Sequence, residues 1–208
     1  MAISAFGFAM MSCALKYFHQ NVMYIGTFEV IYWKALSMFF FVYFFIKFTE
    51  EDFLKVPADL RFAVFLRGLT GFIGLAGLFL AIRYTSLSKA NTLFRTNSFF
   101  TALYARIFLS ESISYYDWAS IFLMFFGVIL LQNPFGNEKE ELASAGVLDP
   151  VLDRLGAIMA LVGAMSVGFA FMLMRKMAGR VHWMIPPFYF TAVCTFLSTP
   201  IAIWERTE

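Results

Sequence analysis

Lys34 and Arg95 stand out among the residues that could do chemistry, because each falls inside an apolar run long enough to cross a bilayer. A charge near the bilayer centre costs roughly 2.5–3.5 kcal/mol on insertion scales, so it faces protein or water and takes a partner. Lys34 lies seven residues into its run and Arg95 five into its own. At about 1.5 Å per residue both sit roughly 8–10 Å below the same, non-cytosolic face. Two cations at one depth could converge on one solute. Glu29 precedes Lys34 by five positions, about 140° around a helix, which makes intrahelical pairing poor and a cross-helix partner for Glu29 the better reading. Two cations against one carboxylate favour an anionic or zwitterionic solute over a lipophilic cation. The plainer alternative is that each cation snorkels to the interface or clamps helices through Glu29.

Tyr32, Asn91, Asn97, Ser98 and Tyr104 lie on the same runs and could hydrogen-bond a solute. Such groups also hold helices to one another. Arg67 and Arg106 lie near the cytosolic ends of their runs, where snorkelling is cheap, and read as structural or topological. Glu111 marks a link boundary. No catalytic set is visible: the two histidines, His19 and His182, are too few for a metal oxidase, and no Ser-His-acid pattern occurs. Cys13 and Cys194 each lie in an apolar run and suggest neither a disulfide framework nor a metal cluster. No GxxxxGK[ST] loop is present to use ATP. The expectation is therefore no enzyme, no cofactor and no metal.

The elements that must position these residues follow from composition. The 208 residues are 61% hydrophobic and 14% charged, whereas soluble domains carry about 25% charged residues. The 28 Phe, 12 Met and 4 Trp exceed what one soluble domain of this size encloses, so the chain reads as an integral, multi-pass membrane protein with the lipid bilayer as its main partner. A net charge of +2 is too small for a nucleic-acid-binding patch. A homo-oligomer is compatible with this composition.

A hydrocarbon core of about 30 Å needs roughly 20 apolar residues as a helix. Seven spans result: Ala2–Phe18, Thr27–Phe48, Phe62–Tyr84, Ala90–Ser110, Tyr116–Asn133, Leu155–Met174 and Met184–Trp204. Runs such as IFLMFFGVILL do not alternate, which argues against a β-barrel. The fold class is all-α, a polytopic transmembrane helix bundle. One set of links with its helix ends carries eight Lys and Arg, the other six. The acidic fifth link is thereby expected outside the cytosol and the N-terminus inside.

Small residues recur at close spacing in two spans: Gly68, Gly71, Gly74 and Gly77 in the third, Gly156, Ala160, Ala164 and Gly168 in the sixth. These are expected to be packing surfaces, since packing and not hydrophobic burial holds helices together in lipid. An offset of about 160 residues aligns Lys16 with Lys176 and Phe28 with Phe188. The chain then reads as a five-span repeat over 1–133, an acidic linker over 134–154, and two spans of a second repeat over 155–208. An odd number of spans per repeat inverts the second copy across the membrane, the architecture of alternating-access carriers.

The stretch RGLTGFIGLAGLFLAIRYTSLSKANTLFRTNSFFTALYARIFLSESISYYDWASIFLMFFGVILLQNP resembles the EamA repeat of drug/metabolite transporters. Its features are an Arg-Gly opening a Gly-rich third span, an aromatic before a TSLS turn, an acidic residue (Glu111) after the fourth span, and Gly127 in the fifth. LGAIMALVGAMSVGFAFMLMRKMAGR is similar to an EamA first helix. The resemblance covers most of the chain and among eukaryotic relatives is strongest to nucleotide-sugar-carrier-like solute carriers. It implies a ten-span carrier of a small solute working by alternating access. The chain departs from that pattern in reading as seven spans, without the last three, and in having Asn97-Ser98 near where the family commonly has a proline. Two other readings stay open: a truncated, non-transporting protein that associates with intact carriers, and a seven-span receptor, which lacks support from any Asp-Arg-Tyr-like or Asn-Pro-x-x-Tyr-like pattern.

Overall fold

The computed structural model describes residues 26–48, 56–110, 115–131 and 150–207, together with Met10 and Tyr17. The rest of the expected first span, with Cys13 and Lys16, as well as His19, Glu111 and most of the acidic linker, lies outside these. Among the described residues all regular structure is helical. The helices are α1 (Thr27–Phe48), α2 (Ala58–Tyr84), α3 (Leu87–Arg95), α4 (Asn97–Leu109), α5 (Tyr115–Leu131), α6 (Pro150–Met177) and α7 (Ile185–Thr207). Four of them, α1, α2, α6 and α7, are long and apolar enough to cross a membrane.

Local chemistry sets where these helices stop. Pro57 precedes α2 in an extended conformation, a place where its missing N–H costs nothing. Thr85 ends α2 with extended backbone, and the Ser86 hydroxyl then caps α3 by accepting from the Lys89 amide. Gly179 closes α6 at φ +77, the left-handed conformation in which a Cβ would be strained. The apolar run 90–110 is not one helix: α3 ends at Arg95, Thr96 turns, and α4 begins at Asn97. The Thr96 hydroxyl donates to the Leu93 carbonyl at 2.6 Å, so a side chain replaces part of the interrupted backbone ladder.

The widest interface is α2 against α6, followed by α1 against α7. At the first, the backbones come close because side chains are absent. A Cβ on Gly77 would lie 2.8 Å from the Met159 carbonyl and 2.9 Å from the Gly163 Cα, and one on Gly74 would meet Val167. Ala160 and Ala164 are fully buried there. Gly168 serves α4 in the same way, its missing Cβ leaving room for the backbone of Asn97 and Thr101. Gly68 faces Tyr189 and Val193 of α7, and Gly156 faces Thr85. Gly163, at the centre of the α2–α6 contact, is a small residue the sequence pattern had not singled out.

Helices α1 and α7 run antiparallel, since Glu205 near the end of α7 accepts from the Thr27 and Phe28 amides at the start of α1, both at 2.9 Å. At the other end Phe39 meets Phe188, ring centroids 5.3 Å apart. Outward-facing residues of α1, including Phe40, Phe41 and Phe44, are more than half exposed, which in a chain of this composition is a lipid-facing surface.

Candidate functional site

The starts of α1 and α6 and the ends of α2 and α7 meet at one end of the bundle. There Arg83 pairs with Glu205 at 3.1 Å, and Lys89 pairs with Asp153 at 2.6 Å. Asp153 is buried and also accepts from the Thr85 hydroxyl. Glu205 does double work, holding Arg83 and the first two amides of α1. A carboxylate at a helix N-terminus satisfies orphan donors and the positive end of the helix dipole together. A Cβ on Gly26 would collide with that carboxylate, which is why the residue before α1 is glycine.

Inside the bundle the electrostatics differ. Lys34 of α1 is half-buried, with its ammonium 5.2 Å from the centre of the Phe79 ring. Arg67 of α2 is also half-buried; its guanidinium sits 5.1 Å from the centre of the Phe190 ring, and its Nε is buried without a hydrogen-bond partner. Both cations lie within electrostatic reach of the fully buried Cys194 on α7. Measured along the helices from the Arg83–Glu205 end, Lys34, Cys194 and Arg67 lie roughly 10, 16 and 24 Å deep. The two cations thus approach Cys194 from opposite sides. Neither has an acidic partner among the described residues. Cation–π contact with one ring stabilises each by about 0.5–2 kcal/mol, less than the cost of an unneutralised charge at this depth.

Arg67 also borders a cavity of about 150 Å³ walled by Gly71, Leu75, Leu78, Phe94 and Phe190. Gly71 keeps that wall open, because a Cβ there would lie 2.8 Å from the Phe190 ring and 2.9 Å from the Arg67 Nη1. The arrangement is a small, mainly apolar cleft with a positive group at its edge, below the roughly 300–1,000 Å³ of sites that enclose a drug-sized molecule.

The other candidates divide between separate places. Arg95 is exposed on the last turn of α3, so the cation that joins Lys34 at Cys194 is Arg67 and not Arg95. Asn97 and Ser98, just after the helix break, border a second cleft of about 380 Å³ with Thr101, Phe171, Met174 and Arg175. Asn91 is half-buried and its Oδ1 has no hydrogen-bond partner. Tyr104 stacks with Phe100 and meets Phe169 of α6 edge-on at 5.5 Å. Glu29 and Tyr32 line a third cleft, of about 200 Å³, on the outer side of α1 against α7.

Arg67 is the residue that sequence reading passed over. Its position near the start of a span suggested snorkelling, but α2 begins at Ala58, nine residues earlier, and the side chain turns inward. A signal was available: Arg67 precedes Gly71 by four and Gly74 by seven residues, which places it on the small-residue face that packs inside.

Residues 1–132 match the model of the EamA-like transporter family. The chain is similar to a probable transport protein of Saccharomyces cerevisiae, 24% identical over 68% of this chain and 42% of the relative. It is similar to solute carrier family 35 member G1 of Mus musculus, 27% identical over 64% of this chain and 36% of the relative. It is also similar to the pseudopaline exporter CntI of Pseudomonas aeruginosa, 25% identical over 67% of this chain and 44% of the relative. The chain thus spans about two-fifths of the length of the curated relatives it matches. No solved structure matches it.

Proposed function

We propose, from the premise that this chain belongs to the EamA-like transporter family, that it moves a small anionic or zwitterionic organic solute across a membrane by alternating access. The chain is an integral, multi-pass membrane protein, and the three relatives described above are named as transporters or solute carriers and not as enzymes. The observation that carries the reading is the pair of interior cations, Lys34 and Arg67, that flank Cys194 without a counter-charge among the described residues. A buried charge is stable when paired, and a solute carboxylate or phosphate supplies the missing partner. Phe79 and Phe190 hold the two cations in place while that partner is absent.

Three features support the carrier reading beyond charge. The run expected as a fourth span forms two helices, α3 and α4, that meet at Thr96, and discontinuous helices are frequent at carrier binding sites. Asn97 and Ser98, just after that break, line a second cleft with a polar edge for the solute, with Tyr104 as the aromatic support against α6. Third, α1 and α7, the helices matched at the 160-residue offset, run antiparallel, as copies related by inversion would. We accordingly take 1–133 as a first repeat, 134–154 as a linker and 155–208 as the start of a second. The smooth α2–α6 contact at Gly74, Gly77 and Gly163 provides a surface on which the halves can rock.

The test is counter-flow in proteoliposomes loaded with a panel of anionic, zwitterionic, neutral and cationic metabolites. Accumulation confined to the anionic and zwitterionic members, and lost on Arg67→Gln, is the expected result. Uptake of cations, or uptake indifferent to Arg67, would overturn the charge argument.

A further inference from the structure

The third cleft does not belong to the interior site. Glu29, Tyr32 and Trp33 are spaced i, i+3, i+4 and form one patch on the first two turns of α1, facing Thr199, Ala202 and Ile203 of α7. The cleft opens outward: Trp33 is 61% and Ile203 62% exposed, on the surface that composition assigns to lipid. Its depth is interfacial, because Glu29 is the third residue of α1 and the start of that helix is held by Glu205. Tyr32 and Trp33 stand edge to face, their rings 5.7 Å apart at 71°, and both line the cleft. The Glu29 carboxylate completes the corner, and among the described residues no cation pairs with it.

Two crossed rings beside a carboxylate favour an ammonium group, which gains attraction from the ring faces and the charge together. At the headgroup depth of a lipid-facing groove, the abundant carriers of such a group are zwitterionic phospholipids, whose glycerol region would meet Ala202 and Ile203 at the depth of Glu29 and whose acyl chains would run inward past Thr199. We propose that this cleft binds the ammonium headgroup of a phospholipid and holds that lipid against the α1–α7 seam. Charge complementarity selects the occupant: an anionic lipid would meet the Glu29 carboxylate unfavourably, and a soluble cation would leave the apolar part of the groove uncovered.

The experiment is native mass spectrometry of the full chain, released from detergent in the presence of acyl-matched phosphatidylcholine or phosphatidylglycerol. The wild-type chain is expected to retain one phosphatidylcholine at concentrations about tenfold below those needed for phosphatidylglycerol. Glu29→Gln and Trp33→Leu should each abolish that preference without lowering the melting temperature, Glu29→Gln being nearly isosteric. Equal retention of the two lipids, or a preference unchanged in both variants, would show general annular lipid only and end the proposal. Free choline displacing the lipid at millimolar concentration would also overturn it, by making the occupant a soluble cation.

Discussion

Two pairs of cations in this bundle are treated in opposite ways. Arg83 and Lys89, at one end, each have a carboxylate from a distant helix, Glu205 and Asp153. Lys34 and Arg67, in the interior, have only an aromatic ring each and a shared neighbour in Cys194. The charges that were cheap to leave to solvent are neutralised by protein, while those that are expensive to leave alone are not. An end pair therefore works as a fastening between helices. On the proposed function the interior pair is half of a site, because a carboxylate built in beside it would compete with an anionic solute.

The comparison fails if the interior cations turn out to be fastenings too. Arg67→Leu is expected to lower uptake of an anionic solute about 100-fold, the equivalent of about 2.7 kcal/mol, while leaving the melting temperature of the purified chain equal or higher, since it removes an uncompensated charge. A lower melting temperature with uptake intact would reverse the assignment. At the end of the bundle the signs should be the opposite. Asp153→Ala is expected to destabilise by about 2 kcal/mol, because it removes a buried carboxylate that accepts from both the Thr85 hydroxyl and the Lys89 ammonium; a detergent melt that fails to move would contradict this. Glu205→Gln keeps an oxygen for only one of the two α1 amides, turns an NH2 toward the other and loses the charge, and should cost about 1 kcal/mol. Arg83→Gln should cost under about 0.5 kcal/mol, because that guanidinium is nearly half exposed and water screens the pair. Raising the salt concentration should erase this last difference first.

The sequence was most informative where a single physical requirement dominated. The span read as Thr27–Phe48 is α1 residue for residue, and α2, α6 and α7 begin and end within about five residues of the apolar runs expected for them, because a long apolar segment in hydrocarbon must satisfy its backbone as a helix. The break at Thr96 was harder to see: no proline or glycine marks it, and a threonine hydroxyl on the Leu93 carbonyl is available to a continuous helix as well. Lys34 could be chosen from its depth alone. Its partnership with Arg67 could not, because depth gives distance along the membrane normal and says nothing about which way a side chain faces. For that the positions of Gly71 and Gly74 relative to Arg67 were the usable clue. The separation of Glu29 and Tyr32 from Lys34, onto the outer side of α1, depends on where α7 lies, and a lone amphipathic pattern does not encode that.

The carboxylate that caps α1 also has a consequence for how the chain is made. Glu205 follows Thr27 by 178 residues. At about 5–20 residues per second, roughly 10–35 s of synthesis separate the first helix end from the group that satisfies it. During that interval the Thr27 and Phe28 amides must find water or lipid headgroups, so α1 is expected to stay mobile at that end until α7 is inserted. Protease protection near Thr27 in ribosome-arrested chains stopped before and after Glu205 would show whether α7 sets the position of α1.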